Sequence, residues 1–469
     1  MPSKGVQVYS YIAAPGVKIT YNVPGEVLER DQLKVFMNDH LEVDKSKLAH
    51  KFDFTGSFSF TVTLGVDALT TQSVDINTMT GNVSGSGTMS HMEDQVSIVT
   101  NNVVICYGFY SAGSGVAGLP SSHQCYVSVT PDYSNWMAEL APPDSPQATK
   151  PFTRFALPAV HDVGMNSMQS ADSVLQSDAL VEVMKSYSPV FSKIAGSMSH
   201  SAAMHLAPNI IRGLAITQKD TLATMLSIGA RYFEFRPAYL HSAIRAGNFI
   251  PDTLYFSHSA IPGMSYQHFL ADVVDFLIAH PQEIVVTQLR YDGVPGECAR
   301  PNDEELAVFM NEALGPANGT IVQGSLDDML NMSIQDIRAQ QKRFILFNGT
   351  DSYSTYTDPA NATLTGDSIV SEFDKVSPDV CAGHAFTNFQ CQATATNMPE
   401  VVAYSVLASN ASSSCLLATK PICDSVTLPW IVANPDKMAA DQLVVIMDDF
   451  IDGKLADVAV EASRRRLEL

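Results

Sequence analysis

Positive charge is scarce in this chain of 469 residues: 28 Lys+Arg stand against 49 Asp+Glu, a formal charge of −21 at pH 7. That balance argues against a nucleic-acid partner, which needs clustered cations to neutralise phosphates, and against a general pull toward anionic membranes. No apolar run approaches the ~20 residues that cross a bilayer, so no transmembrane segment is expected. The opening Met1-Pro2-Ser3-Lys4-Gly5 lacks the apolar core of a signal peptide. Seven cysteines form no CxxC pair, which weakens a zinc or thioredoxin-like reading. Cys381/Cys391 and Cys415/Cys423 are spaced closely enough for disulfides, and an odd count leaves one thiol over. Six Asn-x-Ser/Thr sequons lean toward a secreted origin, so secreted and membrane-peripheral locations both stay open.

What is present is an ordinary globular composition, 46% hydrophobic and 16% charged, in a chain long enough for two to four domains at ~150 residues each. Residues 1–140 carry short alternating runs such as Phe52-Asp53-Phe54-Thr55, Ser57-Phe58-Ser59-Phe60-Thr61-Val62, Val96-Ser97-Ile98-Val99 and Val103-Val104-Ile105-Cys106-Tyr107. Gly, Ser, Asn and Asp clusters punctuate them, the pattern of an antiparallel β-sandwich. The Pro-rich stretch within 141–150 reads as a linker. From 151 to 469 strand-like and helix-like runs alternate, which predicts a parallel sheet, closed as a barrel or open. The Ser/Thr/Asn-rich residues 350–440 read as long surface loops, and Met184, Met198, Met204, His200 and His205 fall in a stretch (167–216) suited to a lid or rim.

Chemistry-bearing residues fall at the C-terminal ends of the later strands, where α/β barrels build their active sites. His161 and Asp162 follow the first, Glu234 and Arg236 end the second, and His258 ends the third. Arg290 follows the fourth, and Asp448-Asp449 closes the last. Two imidazoles, a guanidinium and carboxylates suit phosphoryl transfer: a base, an acid, a fixed positive charge, and anions to set the imidazole tautomers.

These residues resemble a family. Leu157-Pro158-Ala159-Val160-His161-Asp162-Val163-Gly164-Met165 is similar to the first motif of the X domain of phosphatidylinositol-specific phospholipase C. Gly229-Ala230-Arg231-Tyr232-Phe233-Glu234-Phe235-Arg236, preceded by Thr217-Gln218, resembles the second, and Leu254-Tyr255-Phe256-Ser257-His258 the third. Phe276 to Val286 resembles its helix-to-strand passage, so the likeness runs over 151–292 and more loosely to Asp449-Phe450. The resemblance implies a distorted TIM (β/α)8 barrel behind the sandwich, acting on inositol phospholipids at a membrane surface. It implies His161 as general base, His258 as general acid assisted by Asp162, Arg236 on the phosphoryl oxygens, and Asp449 (rather than Asp448) orienting His161. Glu234 and Arg290 are expected at the substrate, and an inositol 1,2-cyclic phosphate is the implied product.

Calcium-dependent members of that family carry carboxylates where this chain has Arg236 and, nearby, Arg290, so neither a metal nor another cofactor is expected. Ser259 stands where a Gly is commoner. Tyr353 and Tyr356 are candidates to stack on a head group. Plainer explanations exist for several positions: Arg236 as a structural ion pair, Arg290 as a solvated charge, Asp448-Asp449 as a cap for a helix near Asp452, and Arg464-Arg465-Arg466 as complement to a helix dipole. Competing functions are a phosphodiesterase acting on glycerophosphodiesters or sphingolipids, and a non-catalytic lipid- or carbohydrate-binding barrel.

Overall fold

The computed structural model describes residues 4–469 apart from 51, 85–86, 90–91, 93–94, 167–173, 175–176 and 409–413. The side chains of His200, Met204 and residues 406–408 also lie outside the described residues, as does the start of the stretch expected to form a lid.

Among the described residues the N-terminal part holds nine strands: β1 (Gly5–Ile12), β2 (Val17–Val23), β3 (Glu26–Arg30), β4 (Met37–Glu42), β5 (Thr55–Leu64), β6 (Asp67–Asn77), β7 (Ile98–Val99), β8 (Val103–Tyr110) and β9 (His123–Pro131). They form two sheets, β4-β1-β9-β8-β7 and β3-β2-β5-β6. Alternation on β5 sends Phe58, Phe60 and Val62 inward, where Phe58 meets Phe109 and Phe60 meets Tyr107 across the two layers at 6.2 and 5.5 Å. The second sheet is antiparallel, but β1 pairs with β9 in parallel, a departure from the expected all-antiparallel sandwich. An alternating pattern specifies a half-buried strand and not its direction. All eight residues of β8 are buried, because its second face lies under the rest of the molecule. The strand expected to include Phe52 and Phe54 begins only at Thr55, and Phe52 is 88% exposed.

The expected linker is packed instead of free: Ala141 and Ala148 are buried, and Gln335 N–H donates to the Ala148 carbonyl. Beyond it come β10 (Ala156–Val160), β11 (Tyr232–Phe235), β12 (Pro237–Ala238), β13 (Tyr255–His258), β14 (Ile261–Ser265), β15 (Val285–Leu289), β16 (Gln323–Gly324), β17 (Phe344–Asn348), β18 (Tyr353–Ser354), β19 (Phe386–Gln390) and β20 (Leu443–Asp448). Eight of them form one parallel sheet in the order β16-β17-β15-β11-β10-β20-β19-β18. In a flat sheet β17 and β19, five steps apart, would be separated by about 24 Å. The Phe347 and Phe386 rings they carry are 6.4 Å apart, so the sheet is curled on itself. The chain is therefore a mixed α/β protein with a curled parallel sheet. Strict (β/α)8 order is not kept, since β16 lies outside β17 and β12-β13-β14 make a separate antiparallel sheet.

Two expectations fail here for identifiable reasons. Residues 350–440 are not mainly surface loop: they hold β18, β19 and the helices Asp358–Asn361, Asp367–Phe373, Pro378–Cys381, Pro399–Ala408 and Cys415–Ala433. Several of the Ser and Thr that read as loop are N-caps, at Thr357, Ser377 and Ser414, each accepting a backbone N–H of the first turn. Cys415–Ala433 is long and apolar enough to cross a membrane, but 67% of that window is buried within the protein and Pro421 and Pro429 lie inside it. All seven cysteines are buried free thiols, so neither pair spaced closely enough for a disulfide is joined.

Candidate active site

The first site residues sit on a tight turn. After β10 the chain folds back at His161–Gly164, with Met165 N–H donating to the Asp162 carbonyl and Asp162 held at φ +47°. Register with β20 sets Val160 beside Asp448, so Asp449 emerges next to His161. Thr217 and Gln218 tie the two turns together. The Gln218 amide donates to the carbonyls of His161 (2.9 Å) and Asp448 (3.1 Å), its oxygen accepts from Ile451 N–H, and Phe450 N–H donates to the Thr217 carbonyl.

On β11 the period of two separates the faces. Phe233 and Phe235 pack on Phe269 of the helix Tyr266–Ala279, while Tyr232 and Glu234 face the other way, Tyr232 donating to Gln288 at 2.6 Å. His258 arrives from β13. Glycines permit that approach: a Cβ on Gly263 would lie 2.3 Å from the Gly164 carbonyl oxygen, and one on Gly164 would lie 2.1 Å from Phe256 Cβ. Met264 N–H donates to that same Gly164 carbonyl at 2.8 Å. Ser259, in the place of a commoner glycine, stands at φ +53°, a region glycine adopts at lower cost.

The side chains converge on Asp162, which is 1% exposed. One of its oxygens is 2.9 Å from Arg236 Nη2; the other is 3.7 Å from His161 Nε2 and 3.5 Å from His258 Nε2. Arg236 also donates from Nε (3.1 Å) and Nη2 (2.7 Å) to one oxygen of Glu234, whose second oxygen accepts from Arg290 Nη1 at 2.8 Å. Arg290 pairs further with Asp292. His161 Nδ1 lies 2.7 Å from Asp449 Oδ1, which leaves Nε2 for the site. Seven of the residues singled out in the sequence, His161, Asp162, Glu234, Arg236, His258, Arg290 and Asp449, thus form one connected network. Asp448 is placed elsewhere, against Lys420. Arg290 is anchored by two carboxylates and is not a solvated loop charge, whereas Arg236 does make the ion pairs a structural role would give it. Sequence reasoning missed the clip made by Gln218, although the residue stood in a quoted motif, and the anchor Asp292, two residues beyond Arg290.

The charges are unevenly matched. Burial pushes Asp162 up, but Arg236 and the two imidazoles outweigh it and hold the carboxyl at about 2. Burial disfavours the charged form of His161, yet Asp162 and Asp449 prevail and raise it to about 9. His258 is lowered, by burial first, with Arg236 and His161 adding to it against Asp162. Burial raises Asp449 although His161 pulls the other way. The pair of imidazoles therefore holds one proton near neutrality, and His161 carries it. His161, Asp162 and Glu234 each bring a donor atom within 4.8 Å of the others, a possible cation site, but the Arg236 guanidinium bridges the two carboxylates of that set. On the Arg290 side opens a cavity of about 530 Å³ lined by Asp292, Asn388, Gln390 and Ser354 among others.

No family model matches the chain, and no curated protein matches it. Among solved structures it is similar to the phosphatidylinositol-specific phospholipase C of Staphylococcus aureus. One structure of that enzyme has 12% identity and a TM-score of 0.40 over 70% of this chain and 97% of that one. A mutant of the same enzyme has 13% identity and a TM-score of 0.39 over 70% and 96%.

Proposed function

We propose that this protein is a phosphodiesterase of the phosphatidylinositol-specific phospholipase C type, with the curled parallel sheet serving as a distorted TIM barrel. The observation that carries the reading is the meeting of His161, His258 and Arg236 on the single buried carboxylate of Asp162. In this reading His161 Nε2 takes the proton of the inositol 2-hydroxyl, whose oxygen attacks phosphorus. Arg236 carries the negative charge that develops on the phosphoryl oxygens. His258 Nε2 protonates the departing diacylglycerol oxygen, so one proton is taken and one is given. The products are diacylglycerol and inositol 1,2-cyclic phosphate.

Asp449 fixes His161 with Nε2 free, and the Asp162 carboxylate, 3.5 Å from His258 Nε2, supplies the negative charge that favours its protonated form. Glu234 joins Arg236 to Arg290, and Arg290 borders the cavity that takes the polar head group. In the working form the shared proton sits on His258. The anionic phosphodiester beside His258 Nε2 favours that placement, because an added negative charge raises a neighbouring imidazole. With Arg236 across Asp162 and Glu234, the reaction is read as independent of metal. A phosphodiesterase built on a carboxylate metal site fits this set poorly, since a guanidinium already neutralises two of the carboxylates.

Phosphorus NMR of the products from phosphatidylinositol vesicles tests the reaction: a cyclic phosphate resonance supports it, and release of phosphoinositol without a cyclic species refutes the intramolecular attack. Turnover should persist in excess EDTA; activity lost to EDTA and restored by calcium would refute the role given to Arg236.

A further inference from the structure

Five charged side chains lie buried next to Asp449 and take no part in the proposed chemistry. Lys420 and Asp424 are one turn apart on the helix Cys415–Ala433, Asp448 ends β20, and Asp452 caps and Lys454 follows at the start of the helix Gly453–Glu468. None of the five side chains is more than 7% exposed. Lys420 Nζ is 2.5 Å from Asp448 Oδ2 and 2.8 Å from Asp424 Oδ2; Lys454 Nζ is 2.7 Å from that same Asp424 oxygen and 3.2 Å from Asp452. At its far end Lys454 sits 5.1 Å from the centre of the Tyr126 ring, on β9. Apolar side chains of equal volume often hold such a place as well or better, so packing alone is a weak reason for these charges.

A second reason is geometric. Asp448 bonds in two directions: Oδ2 meets Lys420, and Oδ1 accepts the backbone N–H of Asp449 at 2.9 Å. Asp449 in turn holds His161 Nδ1 at 2.7 Å. Only one of the two lysines touches Asp448. Burial drives the Asp449 carboxyl toward its neutral form; His161 opposes this first, and Lys420 adds to that opposition.

We propose that Lys420 is a positioning residue for the His161–Asp449 pair: through Asp448 it fixes the peptide that carries Asp449, and so holds the Asp449 carboxylate against His161 Nδ1. The inference rests on the proposed reading of His161 only where turnover is measured. The groups facing His161 are Asp162, Asp449 and Glu234, with His258 across Asp162. Those facing Lys420 are Asp424, Asp448 and Asp452, with Cys391, Cys423 and Tyr126 close by. Removing the Lys420 charge lets Asp449 take up a proton more readily, and His161 then loses its own at lower pH.

The test is an NMR titration of the His161 ring in the full chain, run on Lys420→Met and, in parallel, on Lys454→Met, with folding checked by circular dichroism. Lys420→Met should bring the His161 titration clearly below about 9 and lower kcat by about 10–100-fold with little change in KM. Lys454→Met, which removes a cation from the same cluster but not from Asp448, should leave the titration in place. A folded Lys420→Met with an unmoved His161 titration overturns the proposal, and so do equal shifts in both variants. If Lys420→Met does not fold, Asp448→Ala decides: it removes the carboxylate that joins Lys420 to the Asp449 N–H, so the His161 titration should fall, and an unmoved titration in the folded variant refutes the link. Because the titration needs no turnover, an enzyme inactive on phosphatidylinositol would sink the functional reading while leaving this one decided.

Discussion

At the scale of single residues, the arrangement turns on how few charges neutralise one another around Asp162. Arg236 touches Asp162 and Glu234 at once, a geometry that a planar guanidinium provides and an ammonium does not. Arg236→Lys should therefore lower kcat by roughly 10²–10³-fold while the protein stays folded, comparable to losing a preorganised donor to a developing oxyanion. Steady-state kinetics against circular dichroism checks this, and a variant with unaltered kcat would remove Arg236 from the mechanism. The two imidazoles also predict a pH profile. At low pH both are protonated and no base is available. As pH rises through the lowered value of His258 the pair reaches the one-proton form, and above about 9 the last proton leaves with the acid function. kcat/KM should thus be bell-shaped, with one limb below 6.5 and one near 9. A profile that is flat from pH 5 to 10 would contradict the assignment of these two rings.

Among the elements, the hairpin of β13 and β14 is the part that the alternating pattern alone did not place. Tyr255-Phe256-Ser257-His258 read as one more strand of the parallel sheet, yet it pairs antiparallel with β12 and β14. It reaches Asp162 because Gly263 lies against the Gly164 carbonyl. Gly263→Ala should push the hairpin outward, costing about 1–3 kcal/mol of stability. His258 would move with it, so kcat should fall about 10²-fold, since misplacement by ~1 Å is enough for that. Denaturant melts and kinetics on the same preparation test both numbers, and wild-type kcat in the alanine variant would show the hairpin to be placed by something else. The helices after residue 350 carry the opposite lesson. Their Ser and Thr caps and internal prolines hid them, because those residues favour loops in isolation and are overridden here by burial on the curled sheet. Arg464-Arg465-Arg466 looked like one group of helix-end cations. Instead Arg466 is buried and donates to the carbonyls of Thr153, Arg154, Ala439 and Gln442.

Across the whole molecule the N-terminal sheets and the curled sheet share one buried core. The Trp136 indole donates to the Gly229 carbonyl, Tyr11 donates to Asp457 at 2.7 Å, and Arg231, fully buried, donates to Tyr133, Ser134 and Glu283. The two parts are therefore expected to unfold together. Calorimetry of the intact chain should give a single transition, and two separated transitions would show that each part keeps its own stability. Arg231→Met, which removes the guanidinium in direct contact with buried Glu283, should lower stability by about 3–5 kcal/mol. Urea melts measure that loss, and a change under 1 kcal/mol would mean that Glu283 finds another partner.

The sequence by itself determined that the N-terminal part is built of β-strands, that strand and helix alternate after residue 151, and which side chains stand at strand ends, since these follow from local periodicity and residue type. Direction of pairing lay beyond it, as β1 beside β9 shows, and so did the separation of β13 from the main sheet. The seven site residues come from segments as far apart as His161 and Asp449, and periodicity says nothing of whether such segments meet. Their distances, the proton that His161 holds in place of His258, and the buried Lys420 behind Asp449 exist only once the sheet has curled. Curling takes these groups out of water and sets them at one another's contact distance, and it is that combination of desolvation and proximity that gives each of them its charge.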